Sequence, residues 1–414
     1  ENIISKSNLF GLQFIPGNST LINRIKRVSP GETLVFKNGK IIKRSFINKF
    51  ECNNYSYKNP VDSFDKLWAD SLEKHQRSDV PMGIFFSGGI DSTAILAGMV
   101  RLGNKSISTY TAGYDIRADL DERDKAERLA KLFGVKNQTV EIKYNDFVST
   151  LPQIINCMDD PVADYAIIPT YLLAKKVSSD VKVILSGEGG DELLAGYGRY
   201  RYGLRPWPFK KNPWSKHIFR KTDLLIEDIS SWNSPVSLYD MNCEDKDKMT
   251  DLQKLQFLDL DNWLSNDLLV KLDRCLMAHS IEGRVPFLDR PIATFLFNLP
   301  DAYKVKNNLG KWLIRLWLNK FFPQSEAFKK KRGFSVPVRD WMSFGGSKLG
   351  YLVANQSGVE TFCKKQNVIK LFENLDNKNA FPAWVLLFYA IWHQCHIVGI
   401  DSNANIFEVL SQKG

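Results

Sequence analysis

The chain has 414 residues, 44% hydrophobic and 25% charged, proportions that exclude a disordered or fibrous protein and allow a sizeable core. Its formal net charge of +10 comes from scattered basic residues, apart from Lys329-Lys330-Lys331-Arg332, so it suits a small polyanion as well as nucleic acid. Six cysteines (Cys52, Cys157, Cys243, Cys275, Cys363, Cys395) form no CxxC pair, which argues against a disulfide framework or zinc ribbon and for reducing cytoplasm.

Residues 1–50 do not compose a complete domain. A helix-like start leads through Pro16-Gly17 and Pro30-Gly31 to two apolar runs flanking Asn38-Gly39, a hairpin signal because both turn residues tolerate positive φ. From about residue 60 helices and strands alternate. Strands are expected over 82–86, 107–112, 138–142 and 181–185, with amphipathic helices at 122–133 and 168–177. Such alternation predicts a parallel sheet with helices on both faces and a ligand at the carboxyl ends of its strands. Residues 204–250 read as loops and short helices, and beyond residue 252 the pattern is mainly helical. The most hydrophobic stretch, 381–392, is about a dozen residues long, short of the ~20 needed to span a bilayer. It reads as a buried closing helix. His393, Cys395 and His396 lack a second cluster to complete four ligands, so packing explains them better than a metal.

The most informative stretch is Phe86-Ser87-Gly88-Gly89-Ile90-Asp91-Ser92. It joins an apolar strand to a helix whose apolar spacing runs over 92–102. Two glycines let the backbone approach an anion, Ser87 and Ser92 offer hydroxyls, and the helix aims its unpaired N–H groups and positive dipole end at the same point. Asp91 would repel a bare phosphate, so a divalent cation, most simply Mg²⁺, is expected between them. A plain helix-capping turn is the bland alternative. A second turn, Ser186-Gly187-Glu188-Gly189-Gly190-Asp191-Glu192, follows the fourth expected strand and should face the first across the sheet end. Three acids in five positions suit a nucleotide only if one meets a cation and another handles protons, so Asp191 is assigned to Mg²⁺ with Asp91, and Glu188 to acid/base work.

SGGIDST resembles the signature of the ATP pyrophosphatases. Followed by VILSGEGGDELLAGYGRY, MAHSIEGRVPFLD, GKWLIR and KKRGFSVP in that order, it makes residues 60–400 similar to the synthetase domain of the glutamine-dependent asparagine synthetases. Residues 1–50 then resemble the tail of that family's amino-terminal glutaminase domain. The resemblance implies an α/β fold: a parallel five-stranded sheet flanked by helices, of the adenine nucleotide alpha-hydrolase-like (HUP) type, with a helical carboxyl-terminal part. It implies amidation of aspartate to asparagine through β-aspartyl-AMP, with release of AMP and pyrophosphate, as a carbon–nitrogen ligase (EC 6.3.5.4) using ATP, Mg²⁺ and glutamine or ammonia. Small molecules are thus the expected partners, not nucleic acid or membrane, and a homodimer is compatible.

Residue by residue, the resemblance implies adenosine contacts at Phe86, Ala112, Ser186 and Gly187, and a pyrophosphate loop of Ser87, Gly88, Gly89, Asp91 and Ser92. It implies a catalytic Glu188, a Lys311 that stabilises charge on the phosphates and the tetrahedral intermediate, and an Asp160 near the substrate amino acid. Two positions depart from the family pattern: Leu276 stands where a small hydroxyl residue is common, and Gly283 replaces alanine or valine. Glu1 in place of the family's nucleophilic cysteine suggests a piece of a longer protein over one that takes free ammonia. Other acyl-adenylating enzymes remain open: surface-polysaccharide amidotransferases, β-lactam synthetases and lasso-peptide cyclases. So do a transfer-RNA-modifying pyrophosphatase, and a binding protein that kept the fold.

Overall fold

The computed structural model describes residues 1–47, 57–104, 106–116, 121–205, 218–219, 222–226, 246–329 and 336–412. The basic run beyond Lys329, most of KKRGFSVP, Cys52, Cys243 and most of the stretch read as loops between 204 and 250 lie outside these residues.

A five-stranded sheet organises the fold, in the order β5 (Lys136–Ile142), β4 (Ser108–Tyr114), β3 (Met82–Phe85), β6 (Val183–Leu185), β7 (Glu282–Arg284). Every neighbouring pair is parallel. The crossover helices include α3 (Ile90–Arg101), α4 (Arg123–Leu132), α5 (Tyr144–Asn156) and α6 (Ile167–Val177). The chain runs outward from β3 to β4 and β5, then returns to lay β6 on the other side of β3. That reversal opens a crevice outside the carboxyl ends of β3 and β6, the position at which open parallel sheets bind ligands. The four expected strands are found within about two residues of their expected bounds. β7 escapes the sequence because it has three residues and no apolar run.

Two large apolar clusters hold the layers. In one, Trp68 stacks on Phe64 and Phe287 with ring centroids at 5.7 and 4.4 Å. The other surrounds the closing helix Ala380–His393, whose residues from Pro382 onward are all buried. A π-helical turn, Gln394–Val398, extends this helix to 19 residues, longer than expected; by length and composition it could cross a membrane, and it is 72% buried within the protein. Trp384 and Trp392 donate their indole N–H to the carbonyls of Ala163 (2.8 Å) and Met158 (2.9 Å). They thereby fix the loop that leads into α6. His393 and Cys395 are buried and His396 stacks on Trp392 at 5.0 Å, as packing residues would.

The first fifty residues behave in two ways. Helix α1 (Ile3–Leu12) puts Leu9 and Phe10 into the main core, and the carbonyl of Gln13 accepts the N–H of Ala163 at 2.8 Å. The hairpin β1 (Glu32–Lys37) and β2 (Lys40–Phe46) forms as expected, with Asn38 and Gly39 at φ 50° and 73°, and leaves Phe36, Ile42 and Phe46 about 60% exposed.

The two departures from the family pattern meet in space. A Cβ on Gly283 of β7 would stand 2.7 Å from Leu276 Cδ1, at the end of the helix Leu269–Met277. The large residue fills what the missing side chain vacates, and the pair conserves volume across the sheet edge. Gly283→Ala should therefore cost about 1–3 kcal/mol alone. In a Leu276→Ser background the same change should cost markedly less; urea unfolding of the four variants gives a coupling energy, and additivity would refute the exchange.

Candidate active site

The first turn is set by its strand end. Phe86 donates its N–H to the Tyr110 carbonyl (2.8 Å), and Thr111 Oγ1 donates to the Phe86 carbonyl (2.6 Å). Gly88 then takes φ +66°, a region costly for a residue with a Cβ. The N–H of Gly89 donates to Ser87 Oγ at 3.1 Å, and Ser87 Oγ lies 3.4 Å from Ser92 Oγ in the first turn of α3. Backbone donors, two hydroxyls and a helix N-terminus thus converge on one point.

The second turn lies against the first. A Cβ on Gly187 would be 2.8 Å from Asp91 Cβ, and one on Gly190 only 2.6 Å from Asp91 Oδ1. No side chain fits at either position while Asp91 stays where it is. Lys311 closes the arrangement from a third stretch of chain: its ammonium contacts Asp91 Oδ2 and lies 2.7 Å from Asp191 Oδ1. The lysine is 1% exposed and sits at φ +60°, with its N–H on the Leu194 carbonyl at 2.8 Å. Burial alone would drive its proton off; Asp191 and then Asp91 outweigh this and raise the pKa, so it remains an ammonium.

A cleft of about 270 Å³ opens over these turns. Ser87, Gly89, Asp91, Ser92, Glu188 and Asp191 form its polar side, and Phe86, Ala112, Ser186 and Gly187 also line it. Leu173, Leu272, Pro169 and Tyr110 supply an apolar wall that suits a flat base. Of the expected site residues, Gly88 shapes the turn from behind, against Ala126, and Lys311 sits beneath the carboxylates. Asp160 is not brought to the cleft. Its carboxylate is held by Arg27, whose guanidinium also donates to the Asn266 side chain (2.8 Å) and the Ile15 carbonyl (2.8 Å). An arginine from the first fifty residues takes the acid that the resemblance offers to substrate.

Asp91 and Asp191 offer hard carboxylate oxygens beside phosphate-binding donors, a pair that could hold Mg²⁺, although among the described residues no third His, Cys, Asp or Glu completes a metal cluster with them. Lys311 already holds the two acids together with positive charge.

Sequence reasoning missed a second buried lysine. Lys271, on the helix Leu269–Met277, lines the cleft 3.0 Å from Asp164 Oδ2 and 3.7 Å from Glu188 Oε1. Burial works against its charge, but Asp164, Glu188 and Asp267 prevail and raise its pKa. Glu188 is pushed upward first by burial, with Lys271 opposing. Behind the second turn, Glu192 is buried, accepts the Tyr197 hydroxyl at 2.6 Å, and has its pKa pushed up to about 8 by burial and then by Asp191.

The Asparagine synthase family profile matches residues 63–394. Asparagine synthetase [glutamine-hydrolyzing] 1 of Bacillus subtilis is 30% identical over 93% of this chain and 67% of its own length. A putative asparagine synthetase [glutamine-hydrolyzing] of Mycobacterium tuberculosis H37Rv is 29% identical over 92% of this chain and 66% of its own. The protein belongs to the asparagine synthase family, and the chain spans about two thirds of the length of these relatives. Among solved structures, NMN synthetase from Francisella tularensis aligns at TM-score 0.25 and 12% identity over 68% of this chain and 99% of that one.

A carboxyl whose pKa is raised by folding contributes stability that is whole below its unfolded value and lost as pH rises through its folded one. Glu192 should therefore make the protein progressively less stable between about pH 4.5 and about 8. Glu192→Gln should flatten this decline in melting temperature against pH, and an unchanged slope would show that Glu192 is not held protonated.

Proposed function

We propose that this chain carries the synthetase half of an asparagine synthase, which adenylates the side-chain carboxylate of aspartate with ATP and transfers ammonia to it. The observation that carries this reading is the pair of cleft carboxylates Asp91 and Asp191, on two facing glycine-rich turns and joined by the buried Lys311, in a chain of the asparagine synthase family.

A carboxylate does not accept ammonia directly, because its oxygen is a very poor leaving group. In the proposed sequence, a side-chain oxygen of aspartate attacks the α-phosphorus of ATP, the bond to the bridging oxygen breaks, and pyrophosphate leaves. Ammonia then attacks the acyl carbon, a carbon–nitrogen bond forms, and the carbon–oxygen bond to AMP breaks. The Ser87 and Ser92 hydroxyls, the Gly89 N–H and the α3 N-terminus would bind the departing pyrophosphate, and Lys311, from its place against the two carboxylates, would add positive charge that stabilises it. Such positioned donors typically contribute about 10²–10³ in rate each. Asp91 and Asp191 would hold Mg²⁺, which neutralises phosphate charge when bound. Glu188 would take the proton shed by the attacking nitrogen. The apolar wall of Leu173 and Leu272 would face adenine, with Phe86, Ala112, Ser186 and Gly187 along the adenosine.

The finer reading extends to glutamine as nitrogen source, delivered by a glutaminase domain of which residues 1–50 are the tail, and to a cytoplasmic setting for a chain whose described cysteines are free. The Leu276 and Gly283 exchange behind the base wall gives a narrow opening to a related enzyme that adenylates a different carboxylate.

With aspartate, ATP, Mg²⁺ and ammonium, the purified chain should release pyrophosphate, and the release should depend on aspartate; none under these conditions would refute the assignment. Asp91→Asn should abolish release. Glu188→Gln should bind ATP within a few-fold of wild type while forming asparagine roughly 10²–10⁴-fold more slowly, a rate still measurable at high enzyme concentration.

A further inference from the structure

Glu188 has a single cationic neighbour. Among the described residues, Lys271 is the one basic group within ion-pair distance, and its 3.7 Å separation is too long for a hydrogen bond. Lys271 is not free to close that gap. Its ammonium donates to Asp164 Oδ2 at 3.0 Å, and Asp164 is itself fixed by the Ala166 N–H on its other oxygen at 2.9 Å, where α6 begins. The helix Leu269–Met277 and α6 pack against each other and so hold lysine and aspartate in register. On the other side stands Asp267, fully buried and accepting Gln13 Nε2 at 2.6 Å. Burial, and then Asp164, push its carboxyl upward, with Lys271 opposing. The ammonium is therefore tethered by Asp164 at the edge of the cleft, within 3.7 Å of Glu188.

This geometry has a chemical use. A glutamate that must take a proton has to remain ionised in a half-buried place, yet must not be capped by a close ion pair. A full salt bridge from Lys271 would tie up the lone pairs, and no cation at all would leave the upward push of burial on the carboxyl unopposed. Sharing the lysine with Asp164 gives an intermediate arrangement: the charge is felt at Glu188, and the oxygen stays open.

We infer that Lys271 is a positioning residue for Glu188, held off it by Asp164 so that its positive charge acts on the glutamate while a glutamate oxygen stays open to the reacting nitrogen. The inference rests on the assignment of Glu188 as proton acceptor in the reaction proposed above. Lys271 acts through Glu188 alone, so the losses on removing the two should not multiply.

The test is a double-mutant cycle on the purified chain, with ammonium as nitrogen source, reading asparagine formation and aspartate-dependent pyrophosphate release separately. Lys271→Met should lower the rate of amide formation by roughly 10²-fold, in line with loss of general-base catalysis, with the KM for ATP within about threefold. Lys271→Met/Glu188→Gln should be no slower than Glu188→Gln alone, and Lys271→Arg should restore most of the lost rate. Should Lys271→Met fail to fold, as a variant stranding a buried aspartate can, Lys271→Met/Asp164→Asn takes its place in the cycle. Multiplying losses, or a Lys271→Met rate within twofold of wild type, would overturn the inference. A wild-type chain that releases no pyrophosphate would instead overturn the proposed function.

Discussion

One ammonium between two carboxylates governs the site. Taking Asp91, Asp191 and Lys311 out of water costs several kcal/mol for each ion, returned only while all three stay together with their hydrogen bonds made. The groups come from the turn after β3, the turn after β6 and a distant stretch of chain near residue 311. Each must therefore arrive with its whole segment in place. The requirement extends to the backbone: Gly187 and Gly190 are bare where Asp91 passes, and a Cβ on Gly310 would run into the Ala195 carbonyl at 2.2 Å.

The sheet topology makes that meeting possible. Because β6 returns beside β3 after β4 and β5 are laid down on the other side, two turns separated by seven intervening elements end as neighbours. The closing helix contributes from afar, since Trp384 and Trp392 pin the loop of residues 158–163 and with it the start of α6 and Asp164. Arg27 and Gln13 stitch the first fifty residues to the same region.

Much of this was legible in the sequence because the motifs carry their own geometry. Serine, paired glycines and aspartate between a strand and a helix can hardly fold otherwise than as an anion cradle, and the Asn38-Gly39 turn states its hairpin directly. The apolar runs located four of five strands. β7 did not announce itself, for it is an edge strand of three residues with no alternation to read. Lys271 was illegible for another reason. A lysine on an amphipathic helix reads as solvent-facing, and its burial depends on Asp164, which lies far along the chain and shares no local signal with it. Asp160 has a partner that was equally illegible, since no local signal foretells an arginine arriving from residue 27.

The contact between Leu276 and Gly283 bears on how such a wall drifts over time. Enlarging residue 283 first crowds the neighbour, and shrinking residue 276 first opens a hole behind Leu272. Each single step passes through a less stable intermediate. Lineages with opposite arrangements would thus be separated by a small fitness valley, and grafting one of these residues alone from a relative would carry an epistatic penalty.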